Sequence, residues 1–262
     1  MSTVQYAAVT GASEGIGLAI ARLLAEKGYS LILTARNGEK LQQLKKEWEP
    51  RYGISVEPCA CDLTKQDDVL RFFQTCVPYA PTVFINNAGM GKVGDFADTP
   101  LKDDLATLRL NTEAAHVLLK LFVQTMEKGR ILNTASLAGL LPGPGMAAYA
   151  ASKSYVITLS RSINYELKRS GKKITVSTFL PGPVNTGFDK KAGVTRTRTG
   201  IFAFGSLTPE TCAKYAVKGM LRGKELICPG LPNKILHLGS KFLPTGWLLP
   251  IEYRIQKNKT KS

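Results

Sequence analysis

The sequence predicts an α/β domain built on a doubly wound parallel sheet with helices on both faces. Short apolar runs and longer amphipathic runs alternate six times without a break in composition. Several of the apolar runs, such as residues 30–35, are continuous rather than alternating, as in strands buried on both faces. A glycine-rich turn joins the first strand to the first helix, at residues 11–17.

Ala7-Ala8-Val9 reads as the first strand, ending at Thr10-Gly11. Residues 16–27 read as a helix, because Ile16, Ala19, Ile20, Leu23 and Leu24 recur at helical spacing and Gly28 supplies a C-cap. Residues 30–35 form the second strand, followed by a helix over about 38–48, a strand near 54–59 and a helix over about 66–77. Residues 83–85 are another buried strand, and 101–126 a long helical stretch with Asn111 in its middle. A strand over 130–135, a long helix over 149–169 and a strand over 174–180 complete the alternation. Thr208 as N-cap, Pro209 at the first position and Glu210 in the first turn start a helix that runs to Leu221. Residues 226–228 are a short strand. One domain over 1–230, with a substrate lid at about 186–206, and an apolar, basic extension over 231–262 are expected.

A length of 262 residues suits one such domain and allows a large core. Hydrophobic residues make up 44% and charged residues 21%. The five cysteines form no C-x-x-C pair, and the two histidines, His116 and His237, flank none of them. Neither a metal site nor a disulfide framework is expected, and a reducing, cytoplasmic setting fits. Residues 1–6 lack a basic and apolar leader, so no signal peptide is expected, and no run reaches the length of a membrane span. The formal net charge of +15 favours anionic partners: a phosphorylated cofactor, an acyl-carrier protein, nucleic acid or anionic lipid. A solvated basic surface is the alternative. No aromatic–basic stripe accompanies the charge, so nucleic acid is not expected as a partner.

The turn Thr10-Gly11-Ala12-Ser13-Glu14-Gly15-Ile16-Gly17 lets the backbone bend tightly and lets a pyrophosphate approach the helix N-terminus. The second strand ends at Ala35-Arg36. A dinucleotide with a free ribose 2′-hydroxyl needs an acid there, whereas a guanidinium grips a 2′-phosphate. NADP(H) is therefore favoured over NAD(H), on one basic contact, since Glu14 stands inside the turn. Asn86-Asn87-Ala88-Gly89 follows the fourth strand, Ser136 the fifth and Pro181-Gly182 the sixth. Tyr149 and Lys153 stand four apart, on one face of a helix. A phenol has a pKa near ~10, and a neighbouring ammonium is expected to lower it toward the working range of an acid–base group.

Together these motifs resemble the short-chain dehydrogenase/reductase family from residue 4 to about 228, a Rossmann-type fold. The resemblance implies catalytic Asn111, Ser136, Tyr149 and Lys153. It implies cofactor contacts from Gly11, Ser13, Glu14, Gly15, Ile16, Gly17 and Arg36, then from Asp62 and Leu63 at the adenine and from Asn87, Ala88 and Gly89. Pro181, Gly182, Val184 and Thr186 would sit near the nicotinamide, with Tyr149 and Lys153 also touching the cofactor. Ser136 and Tyr149 would bind the substrate oxygen, Tyr149 would donate a proton as hydride arrives at carbon, and Lys153 with an Asn111-ordered water would restore it. Homo-oligomers are common in the family, with the helices ending near Met126 and Arg169 as the interface.

Residues 188–204 carry Lys190, Lys191, Arg196 and Arg198 and then Ile201-Phe202-Ala203-Phe204, and residues 137–146 are largely apolar. An apolar ketone is expected: a 3-oxoacyl thioester, a steroid or another lipid-like carbonyl. The tail places Phe242, Trp247, Leu248 and Leu249 around a Pro-Thr-Gly turn and ends in Lys257, Lys259 and Lys261. It is either a peripheral anchor on anionic membrane or a subunit interface or lid cover. A nucleotide sensor without turnover is the alternative to an enzyme.

Overall fold

Side chains alternate across a strand, and the core follows that alternation. Ala7, Val9, Leu31, Leu33, Ile85 and Leu132 enter one cluster, whereas Ala8, Ile32, Phe84 and Ile131 enter another on the opposite side of the sheet. The computed structural model describes residues 4–194, 206–242 and 244–260. These form a seven-stranded sheet of β1 (Tyr6–Thr10), β2 (Ser30–Ala35), β3 (Val56–Ala60), β4 (Val83–Asn86), β5 (Lys128–Thr134), β6 (Lys173–Phe179) and β7 (Leu226–Ile227). All pairings are parallel, in the order β3-β2-β1-β4-β5-β6-β7.

Helices α1 (Gly15–Ala25), α2 (Gly38–Tyr52) and α8 (Pro209–Leu221) cover one face. Helices α3 (Gln66–Cys76), α4 (Leu101–Leu108), α5 (Ala115–Thr125) and α6 (Ala147–Arg169) follow in the chain. The other face takes buried side chains from α3, α5 and α6, with Phe84 stacked on Phe122 at 3.9 Å between ring centres. The chain leaves one edge at β3 and returns beside β1 as β4, so the carboxyl ends of β1 and β4 flank the crevice where open α/β sheets bind ligands.

Three segments depart from the expected pattern. Helix α2 runs past the expected end at Trp48 to Tyr52, with Pro50 inside it. Pro50 lies in the last turn and removes one backbone donor there, and Gly53, at φ +64°, closes the helix by donating to Glu49 O at 3.0 Å. The 101–126 stretch is helical but carries a π-helical turn over Arg109–Ala114 that turns Asn111 fully inward. The expected lid starts with a short helix, α7 (Phe188–Ala192), and the tail is helical as well, with α9 (Leu231–Phe242) and α10 (Thr245–Thr260) following β7. Among the expected lid residues, 195–205 lie outside the described residues, Arg196, Arg198 and 201–204 included. Among the described residues no helix is long and apolar enough to cross a membrane.

Candidate active site

At the end of β1 the chain bends through Gly11 (φ +68°) and Gly15 (φ +57°) into α1. A Cβ on Gly17 would lie 2.2 Å from Gly11 O and 2.5 Å from Asn87 Nδ2, so only glycine fits beneath the turn. The turn is clamped to the end of β4. Thr10 Oγ1 accepts from Asn87 N at 2.8 Å and Ala88 N at 2.9 Å, and Asn87 Nδ2 donates to Thr10 O at 3.2 Å. Gly11, Ser13, Glu14, Gly15 and Ile16 then face a cleft of about 870 Å³. Gly17 does not line it. Its lack of a side chain lets the turn lie flat against Asn87. The free N–H groups of the first turn of α1 and the bare glycines fit a pyrophosphate.

Arg36, Asp62 and Leu63 line the same cleft at the ends of β2 and β3. Lys40, one turn into α2, lines it too. The expectation of a single base at this end is thus exceeded, and the pairing of Arg36 with a base four residues on was a signal available in the sequence. Asp62 Oδ1 accepts from Thr64 N at 3.1 Å and Thr64 Oγ1 at 2.8 Å. Burial raises its pKa, but these hydrogen bonds and the Arg36 charge outweigh burial and leave the carboxyl below its ordinary range. Glu14 faces Lys191 of α7 in an ion pair across the mouth of the cleft, a contact without sequence signal. Pro181, Gly182, Val184 and Thr186 form the facing wall. Thr186 Oγ1 accepts from Phe188 N at 3.2 Å and so starts α7.

Ser136, Tyr149 and Lys153 meet where β5 and α6 approach each other, and all three line the cleft beside Asn87, Ala88 and Gly89. Lys153 is 4% exposed, donates to Thr134 O at 2.8 Å, and lies 5.8 Å from the centre of the Tyr149 ring. Burial pulls its pKa down to about 8. The Tyr149 pKa departs from the expectation: it is raised, not lowered. Burial is the largest cause, the Asp189 charge adds to it, and hydrogen bonding with Ser136 opposes it without prevailing. Lys153 keeps its charge at neutral pH, but burial of the phenol outweighs whatever that charge does for it. Asn111 does not line the cleft either. It sits behind Gly89, donating Nδ2 to Met90 O at 2.8 Å and Ser152 Oγ at 2.9 Å, and accepting Met90 N–H at Oδ1 at 2.9 Å. Both amide hydrogens are therefore used within the protein, tying the Met90 loop to α6.

The far end of the cleft is apolar. Val93, Met146 and Ala192 are buried there against Tyr149, Phe188 and Val194. Gln256 of α10 also lines the cleft, at 6% exposure, and donates Nε2 to Glu252 Oε1 at 2.6 Å. Tyr253 OH anchors the same helix to Asp95 Oδ2 at 3.1 Å. This contribution of the tail to the wall agrees with the lid-cover alternative, although the sequence did not single out Gln256. Among the described residues no His, Cys, Asp and Glu group could hold a metal ion.

The short chain dehydrogenase family profile matches residues 5–197. The very-long-chain 3-oxoacyl-CoA reductase of Anas platyrhynchos is 29% identical over 261 residues, spanning 96% of this chain and 80% of that protein. The 3-oxoacyl-[acyl-carrier-protein] reductase of Homo sapiens is 33% identical over 188 residues, 70% of this chain and 77% of that one. Among solved structures, a short-chain dehydrogenase from Sphingobium yanoikuyae in complex with NADPH superposes with a TM-score of 0.78 at 30% identity, over 86% of this chain and 87% of the other. The glycine turn, the clamped Asn87 loop and the Ser136–Tyr149–Lys153 cluster thus stand on a profile match over most of the sequence, and the chain belongs to the short-chain dehydrogenase/reductase family of nicotinamide-dependent oxidoreductases that act on alcohols and carbonyls.

Proposed function

We propose that the chain is an NADP(H)-dependent oxidoreductase acting on an apolar ketone or the matching secondary alcohol. The observation that carries the reaction is the convergence of Ser136, Tyr149 and Lys153 on one cleft wall, opposite the glycine turn. The 2′-phosphate preference rests on Arg36 and Lys40, two bases where an NAD site needs an acid, beside the neutral Ala35. The apolar lining from Val93, Met146 and Phe188 supports a lipid-like substrate, and two relatives carry 3-oxoacyl thioesters in their names.

A nicotinamide held between the glycine turn and the wall of Pro181, Gly182, Val184 and Thr186 would supply or take up the hydride. Ser136 Oγ and Tyr149 OH hold the substrate oxygen between them. Burial keeps the Tyr149 phenol protonated at neutral pH, so it stands as the donor in the reducing direction. Lys153, with a pKa near the working pH, returns a proton to that oxygen. Asn111 holds the Met90 loop and Ser152 in place, and its expected ordered water would have to be accepted at Oδ1 beside the Met90 N–H.

The test is a fluorescence titration with NADPH and with NADH, followed by a turnover screen of ketones and 3-oxoacyl thioesters. Tyr149→Phe is expected to keep NADPH affinity and lose about 10²–10⁴-fold in kcat. Arg36→Asp is expected to reverse the NADPH-over-NADH preference. Near wild-type turnover in Tyr149→Phe contradicts the mechanism, and binding without turnover across the panel leaves a nucleotide sensor instead.

A further inference from the structure

Two cysteines that look unrelated in the sequence lie side by side at the adenine end of the cleft. Cys59, in β3, and Cys61, just past its end, project from the same side of the chain because they are two residues apart. Their sulfurs are 3.4 Å apart, with no bond between them. Arg71 of α3 donates Nη2 to Cys61 Sγ at 3.4 Å and to Ala60 O at 2.8 Å, and Thr75 Oγ1 lies 3.5 Å from Cys59 Sγ. A guanidinium and a hydroxyl around two thiols form a microenvironment that favours a thiolate. The hydrogen bond from Cys61, with help from Thr75 and Arg71, pulls the Cys59 thiol down to about 6 against the opposing effect of burial. Both cysteines are buried, Cys59 at 9% and Cys61 at 3% exposure, and Cys61 lines the nucleotide cleft, the side from which a small oxidant would approach.

We infer that Cys59 and Cys61 are a peroxide-sensitive thiol pair whose closure to an intramolecular disulfide weakens nucleotide binding in the adjoining cleft. The chemistry balances with hydrogen peroxide as the oxidant. The Cys59 thiolate attacks one peroxide oxygen, breaking the O–O bond to give a sulfenic acid and hydroxide. The Cys61 sulfur then displaces hydroxide from Cys59, forming the S–S bond. The two thiol protons complete two waters, and peroxide is reduced by two electrons.

Closure must bring the sulfurs from 3.4 Å to about 2.05 Å across a single intervening residue. That movement falls on a tightly tied segment. Cys61 N donates to Ala35 O at 3.1 Å, next to Arg36, and Asp62 N donates to Asp68 Oδ2 at 2.7 Å. Arg71 holds the other oxygen of Asp68 at 2.8 Å while donating to Cys61. Drawing Cys61 toward Cys59 disturbs Arg71, Asp68 and Asp62 together, and with them the end of the cleft that Arg36 and Lys40 line. A disulfide closing so small a ring is strained and easily reduced, which suits a reversible switch.

The nucleotide half of this inference rests on the dinucleotide reading of the cleft; the thiol half does not. The whole protein is exposed to hydrogen peroxide, then examined by intact mass, by peptide mapping and by NADPH titration, before and after dithiothreitol. The expected result is a loss of two hydrogens mapped to the peptide that holds both cysteines, and NADPH affinity weaker on the order of tenfold, the scale of one lost hydrogen bond. Dithiothreitol restores both. In Cys59→Ala and Cys61→Ala, which keep the position small and apolar, the affinity no longer responds to peroxide. No disulfide between these two residues overturns the inference, as does a disulfide that leaves NADPH affinity unchanged, or a peroxide response that persists in both variants. If the reduced protein binds no nucleotide at all, the dinucleotide reading fails and the nucleotide half falls with it, while the mass still decides the pairing.

Discussion

A lysine withdrawn from water is easier to deprotonate than one in water, and Lys153, at 4% exposure, is shifted to about 8. Its unfolded value is near ~10.4, so between those two values the unfolded chain binds more protons than the folded one. Stability therefore rises with pH across that window. Below it the charged side chain costs the fold a constant amount, on the order of 3 kcal/mol. Lys153→Met removes that cost and gives up the hydrogen bond to Thr134 O, about 1 kcal/mol. Thermal unfolding without nucleotide is expected to show the variant about 5 °C more stable at pH 7, with the gain gone near pH ~9.7 and reversed above it, and turnover lost. An equal or lower Tm at pH 7 would show that the buried ammonium is not under strain. The pair Tyr149 and Lys153 was legible at four-residue spacing, yet the direction of the phenol's shift was not. Spacing tells which groups meet, whereas burial, which a linear sequence does not carry, decides which charge survives.

At the scale of elements, the parts set by local chemistry agree with the sequence reading. The continuous run Ser30–Ala35 is β2, and Thr208 caps α8 by accepting from Thr211 N at 3.2 Å. The parts set by long-range packing do not appear in any window of sequence. The π turn that buries Asn111 and the packing of α10 against Gly145 both depend on partners distant in the chain. Helix α10 meets the domain at Gly145, whose φ is +80° and whose Cβ, if present, would lie 2.8 Å from Gln256 Cβ. Gly28 has nearly the same backbone, φ +81°, with open space around it. The two glycines separate strain from packing. Gly28→Val is expected to cost stability alone, about 1–3 kcal/mol for a side chain forced into the left-handed region. Gly145→Val is expected to cost the same and also to displace α10, raising KM for an apolar ketone about tenfold while the NADPH Kd stays put. Equal KM values in the two variants would remove α10 from the substrate wall.

At the scale of the molecule, two apolar faces among the described residues lie outside the core. Leu101, Leu105 and Leu108 lie on one side of α4, exposed to 72%, 39% and 38%, and α4 packs against α6, which exposes Tyr165 to 65%. Aromatic and aliphatic side chains on adjacent helices suit a second copy of the chain. On α9, Leu231, Ile235 and Leu238 are exposed to 69%, 63% and 57%, and Lys234, also exposed, stands within the same turn. Two such faces brought together would oppose like charges in a chain of net charge +15, whereas an anionic lipid surface complements them. Light scattering is therefore expected to give a homo-oligomer that Leu105→Glu with Tyr165→Glu dissociates and Ile235→Glu leaves intact. Sedimentation with phosphatidylserine vesicles is expected to give the reverse: binding that high salt and Ile235→Glu abolish, and that the α4–α6 variant keeps. A monomer in the wild type would assign the α4–α6 face no partner of its own kind, and protein left in the supernatant at low salt would do the same for α9 and lipid.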